Sequence, residues 1–200
     1  EDSTSPAPLF ERLEFAALIR RKNGRWLATL QDLNIQQSDS ELGLDKLQVT
    51  FDGQGLSIAA NDIELAAFND IVLATHLLPQ RPRAILTAVA PRGEVRALSM
   101  TIDDIGQPLD AWSVTAELTN ATISAFAAIP GISQLDATLE VNQAGAAVWV
   151  DSQNSGLHLP KIYSSPLVFS AVQGKLAGRW QDERLLLEHG VFDVLANTHR

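Results

Sequence analysis

Ser152, Ser155 and His158 stand close together in DSQNSGLH, and a serine near a histidine is the minimum for a nucleophile and its base. No G-x-S-x-G elbow surrounds either serine and no oxyanion loop follows. The segment therefore reads as a polar hairpin loop with His158 at strand re-entry. A triad assembled from distant segments is the one catalytic arrangement that local spacing does not exclude. His76, His158, His189 and His199 lack the i, i+4 or HExxH spacing that sets two imidazoles on one metal. Asp103 and Asp104 are adjacent, so on a strand they point to opposite faces and cannot share a proton as an acid/base pair; they open a turn instead. GQG at 53–55 follows a strand-like run, but no helix pattern follows it, so it makes no phosphate cradle. Cysteine is absent, which removes thiolate chemistry, Cys-ligated zinc and disulfides. The expectation is a protein that is not an enzyme and uses no metal and no cofactor.

The elements that would position any site are β-strands. KNG (22–24) separates two apolar runs, and Asn-Gly there is a hairpin signal. In the next unit Leu47, Val49 and Phe51 alternate, DGQG turns, and Leu56 and Ile58 alternate back. Residues 69–90 break the pattern: Asn69 or Asp70 would cap a short helix carrying Ile71, Val72, Leu77 and Leu78 and ended by Pro79, with a second helix from Arg83 to Val89. Strand patterning returns in EVRALSMTIDD and AWSVTAELTNATI. Pro130-Gly131 reads as a type II turn with glycine supplying positive φ. The hairpin Leu135–Val141 and Ala146–Asp151 follows, and the remainder to Ala196 reads as three or four more strands. LDKLQVTFDGQGLSIAAND (44–62) and LDATLEVNQAGAAVWVDSQN (135–154) echo one another, as two hairpins of one plan or as a repeat. Trp26, Trp112, Trp149 and Trp180 all fall in or beside these runs, as core or groove-edge anchors.

The bulk properties agree with one substantial β fold. The chain has 200 residues, 46% of them hydrophobic, enough for a real core. A net charge of −9, with only 15 Lys and Arg along the chain, argues against a nucleic-acid partner. No run reaches the roughly 18 apolar residues of a membrane span, and EDSTSPAPLF resembles neither a signal peptide nor an anchor. Residues 1–9 read as a linker remnant, so the chain is expected to be a soluble fragment or processed form. The expected fold is mainly β: a curled antiparallel sheet, a meander of hairpins forming an open, taco-like groove, with one or two short helices around 69–90. It spans 10–200 as a single module, or as two similar sub-units, 10–90 and 91–200.

From Ile129 to Trp180 the sequence resembles the YhdP branch of the AsmA-like, bridge-like lipid-transfer proteins. The resemblance is carried by the Ile-Pro-Gly corner after an Asn-x-Thr strand (Asn120, Thr122), by Asp151, Ser152 and Asn154, and by Leu159-Pro160. Ser165 to Phe169 and the closing G-x-L-x-G-x-W of Gly174 to Trp180 continue it. APRGEVRALSMTID and DAWSVTAELTNATI extend it upstream, so that it covers roughly 10–195. None of these elements is catalytic; their order is the signal.

The resemblance implies an internal module of a bacterial envelope protein that is anchored in the inner membrane and lies largely in the periplasm. Such a protein carries phospholipid acyl chains in an apolar β-groove between inner and outer membrane. Implied partners are phospholipid and neighbouring β modules of the same full-length chain, with membrane contact through an anchor absent from this sequence. Alternation places Val49, Phe51, Leu56, Ile58, Leu139, Val141, Val148, Val150, Leu157 and Leu159 as the candidate groove residues. The acidic surface favours the aqueous gap between membranes over an anionic bilayer. The competing reading is a non-catalytic scaffolding β-domain with a filled core.

Overall fold

The computed structural model describes residues 10–75, 78–108, 110–127, 129–181 and 184–196. The linker remnant 1–9, His76, Leu77 and His199 lie outside the described residues. The elements in order are β1 (Arg12–Lys22), β2 (Arg25–Gln37), β3 (Ser40–Phe51), β4 (Leu56–Glu64), α1 (Leu65–Ala74), α2 (Gln80–Val89), β5 (Arg92–Ile102), β6 (Trp112–Ile123), β7 (Gly131–Asn142), β8 (Gly145–His158), β9 (Leu167–Gln181) and β10 (Arg184–Ala196). Each strand pairs antiparallel with the next, giving one ten-stranded meander that does not close, with β1 and β10 as its edges. The accessible surface is 13710 Å², against about 9,200 Å² for a compact protein of this mass, because one broad sheet has no second sheet to cover it.

Local chemistry explains the turns. Asn23 and Gly24 have φ of 52° and 79°, and Lys22 pairs with Arg25 across them, which is the two-residue turn whose twist matches paired strands. Between β3 and β4, Asp52 Oδ1 accepts the backbone N–H groups of Gln54 (3.2 Å) and Gly55 (2.8 Å). These bonds hold the Asp52 carboxyl below its ordinary value, Gly55 contributing most. Asp104 Oδ1 likewise accepts the Gly106 N–H at 2.8 Å, so the Asp103-Asp104 pair does open a turn.

Four expectations are corrected. α1 begins at Leu65, not at 69 or 70: β4 runs straight into it, Glu64 occupies the N-cap with no side-chain cap bond, and Asn69 is buried within the helix. α2 begins at Gln80 after Pro79; Pro82 lies in its first turn, where a missing N–H costs no helical bond. The segment after His158 forms two long strands, not three or four. Gly174 and Gly178 lie inside β9, and a Cβ on Gly174 would meet the Phe192 ring of β10. Gly131 is not a positive-φ turn residue. It opens β7 and is buried, and a Cβ there would lie 3.0 Å from Ala125 N and 3.1 Å from His158 Cβ, so close approach is what requires glycine.

An oblique crease crosses the sheet. Asp32, Asp62, Asn120, Gln134 and Asn154, all within strands, have φ of 52–54°, a left-handed conformation costly for most residues and most accessible to Asn and Asp. Each is the third residue of a three-residue step between inward positions: Leu30 to Leu33, Ala60 to Ile63, Leu118 to Ala121, Ile132 to Leu135, and Ser152 to Ser155. Simple alternation would flip the next inward side chain to the other face; the extra residue restores it and bends the strand. Side chains replace the lost ladder bonds. Asn120 N–H donates to Asp136 Oδ1 (2.7 Å) and Asp136 N–H to Ser152 Oγ (2.8 Å). Ser152 Oγ in turn donates to the Gln134 carbonyl (2.9 Å), and Gln134 N–H to Thr122 Oγ1 (3.2 Å).

Candidate functional site

Directly paired residues of antiparallel strands share a face, so the register assigns every strand residue to one side of the sheet. One row runs Ala17, Leu30, Leu47, Ala60, Leu98, Ala116, Leu139, Val148, Leu176, Gly190, with one residue from each of the ten strands and no polar side chain. The row beside it runs Ile19, Ala28, Val49, Ile58, Met100, Val114, Val141, Ala146, Gly178, Leu187, again without a polar group. At 4.7–4.9 Å per strand, each row is about 43 Å long. The opposite face is polar: its middle row runs Leu18, Thr29, Gln48, Ala59, Ser99, Thr115, Glu140, Ala147, Ala177, His189.

Of the candidate groove residues, Val49, Phe51, Leu56, Ile58, Leu139, Val141, Val148 and Val150 lie on the apolar face between crease and hairpin rim. Leu157 lies on the same face beyond the crease, paired with Ile132 and Leu167. Leu159 belongs to no strand: it follows β8, and its carbonyl accepts the N–H groups of Ile162 and Tyr163, both at 2.9 Å. Leu30, Leu98, Met100, Val114 and Leu176 join the same rows. Their signal, alternation in RALSM, WSVTAEL and QGKLAG, was present in the sequence but weaker than in the chosen hairpins.

The tryptophans divide by parity. Trp26, Phe51, Leu56, Ile102 and Trp112 form a third row of the apolar face at the hairpin rim, and Trp180 has the same parity in β9, its Nε1 donating to the Asn142 carbonyl at 2.8 Å. Trp149 lies on the polar face, with the Lys175 ammonium 4.6 Å from its ring centroid.

Beyond the crease, α1 covers part of the apolar face. Ile71 packs in one cluster with Leu33, Leu42, Leu44, Ile63 and Val95, and the helix rests on β2, β3, β4 and β5. Among the described residues no element packs in this way on β6–β10. There Val114, Leu139, Val141, Val148 and Leu176 stay half-buried, beside the buried Ala116, Ala137 and Val150, and Leu139 packs against the edge of the Leu33–Ile71 cluster.

Ser152 serves the scaffold. Ser152 is only 1% exposed, and its hydroxyl is committed to Gln134 and Asp136 across the crease. Ser155 is buried, its Oγ without a partner among the described residues, and His158 ends β8. No helix among the described residues is long and apolar enough to cross a membrane.

Fold and face together define an open, amphipathic β-sheet module whose distinguishing feature is a broad apolar surface. The family described as YhdP protein matches residues 1–198, and the chain belongs to that family, as the ordered features between Ile129 and Trp180 implied. Neither a curated protein nor a solved structure shows significant similarity to the chain.

Proposed function

We propose that this chain is a lipid-carrying module of a bacterial cell-envelope protein, holding phospholipid acyl chains on its apolar face while they pass between membranes through the periplasm. The observation that carries the reading is the pair of adjacent rows, apolar on all ten strands, with no helix among the described residues packed on β6–β10 as α1 is on β2–β5. Each methylene moved from water onto such a surface contributes about 0.8 kcal/mol. An acyl chain fills half of a bilayer core, about 15 Å, so a row of about 43 Å takes more than one chain end to end. Apolar attraction is non-directional, and rows without polar groups offer a lipid no preferred stopping point. Non-enzymatic carriage also fits the use of Ser152 as a structural staple. Neighbouring modules of a longer chain would extend the surface.

Mass spectrometry of the gently extracted protein tests this. Phospholipid is expected to co-purify, and Leu139→Asp, which puts a charge on a half-buried site, is expected to fold and to lose it. Protein that carries no lipid in either form would sink the reading. The packing of α1 on β2–β5 favours a second reading, a scaffolding domain, for that part of the sheet; its signature would be intact envelope assembly in cells carrying the Leu139→Asp protein.

A further inference from the structure

The β1–β2 hairpin concentrates positive charge in an acidic protein. Arg20, Arg21, Lys22 and Arg25, four of the chain's 15 Lys and Arg, fall in the single stretch RRKNGR. All four are exposed. The ion pairs among the described residues join Arg12 to Glu14 and Arg179 to Glu188, and none of the four takes part. Arg21 pairs in register with Trp26 at the rim of the apolar face, its guanidinium 5.1 Å from the indole centroid. One register step inward lies Ile19, 64% exposed, which begins the row leading to Ala28, Val49 and Ile58. Arg20, Lys22 and Arg25 root on the other face of the hairpin, Arg25 beside a cavity of about 250 Å³ lined by Thr50, Asp52, Ser57, Thr101 and Asp103, where its charge helps to lower the Asp52 carboxyl.

We infer that this hairpin tip is a phosphate-binding corner for the headgroup of a phospholipid whose acyl chains lie on the adjoining apolar rows, an assignment that rests on the lipid-carrying reading above. Guanidinium groups match phosphate oxygens in geometry and charge. An indole suits the boundary between apolar chains and water. The rest of the molecule is net acidic and repels a phosphate, so the tip is the place where an anionic headgroup gains rather than loses. The occupant is an individual lipid, because phosphate alone has no use for Ile19 and Trp26.

The test is calorimetric titration of the chain with two short-chain probes below their aggregation limits, dihexanoyl phosphatidylglycerol and dihexanoylglycerol, which lacks the phosphate. The phosphate-bearing probe is expected to bind at least tenfold more tightly. Substituting Arg20→Gln, Arg21→Gln, Lys22→Gln and Arg25→Gln together should abolish that preference and leave dihexanoylglycerol affinity unchanged. Removing the same charge elsewhere, with Arg81→Gln, Arg92→Gln, Lys161→Gln and Arg184→Gln, should preserve it. A preference that survives the tip substitutions, or falls equally in the charge-matched control, overturns the assignment. Inorganic phosphate binding the tip as tightly as the lipid would overturn the lipid as occupant. Failure of dihexanoylglycerol itself to bind would instead refute the apolar-face reading on which the assignment rests.

Discussion

Ser152 and Ser155 stand three residues apart on β8 and are both buried, yet their removal is expected to have opposite consequences. The Ser152 hydroxyl accepts the Asp136 N–H at 2.8 Å and donates to the Gln134 carbonyl at 2.9 Å, so Ser152→Ala orphans a donor and an acceptor where water has little access. Each orphaned group costs about 1–3 kcal/mol, and we take about 3 kcal/mol for the pair. For a chain of this size that lowers Tm by roughly 6–12 °C. The Ser155 Oγ has no partner to lose among the described residues, so Ser155→Ala removes an uncompensated buried hydroxyl and should be neutral or stabilising by about 1 kcal/mol. Urea and thermal unfolding followed by circular dichroism would measure both. Equal losses from the two substitutions, or a larger loss at Ser155, would refute the role of Ser152 as the bond that replaces the missing ladder at the crease.

Ile71→Ala should cost about 2–5 kcal/mol by opening a cavity between α1 and the Leu33–Ile63 cluster, and should raise binding of a hydrophobic dye as β2–β5 are uncovered; unchanged dye binding would mean the helix is not the cover. Gly131→Val should destabilise because its side chain meets Ala125 and His158, and at a merely permissive turn the same change would cost little. Asp52 has a lowered folded pKa, so its stabilising contribution is complete above the ordinary value of 3.8 and is lost as pH falls through the folded value. Asp52→Asn should therefore flatten the acid limb of stability below about pH 4, and an acid limb identical to the parent's would contradict the turn bonding described.

Much of the sheet was legible because Leu47, Val49 and Phe51, and Val148 and Val150, alternate without interruption, and alternation fixes a shared face wherever a strand is regular. Trp149 could have been separated from its neighbours Val148 and Val150 by the same parity. The crease was hidden because Leu30-x-x-Leu33 and Leu44-x-x-Leu47 are spaced by three, which reads as a loop or a helical turn. The left-handed Asp32 that keeps Leu33 inward looks like an ordinary polar strand residue. Seen afterwards, Asp62 and Asn154, at the ends of the two echoing segments, are both crease residues, so the echo marked a shared bend. The start of α1 carries no sequence signal, because Glu64 caps it without a side-chain bond and nothing marks the change from strand to helix. RRKNGR is a local basic run that the net −9 of the whole chain conceals.

The central claim is that one face of this sheet meets lipid and the other meets water. Photoreactive side chains placed singly at Leu139 and Val141, and at their polar-face neighbours Thr138 and Glu140, in the protein expressed in cells, test it most directly. Phospholipid adducts from Leu139 and Val141 with none from Thr138 and Glu140 are the predicted result. Adducts in equal yield from both pairs, or from neither, would contradict the account.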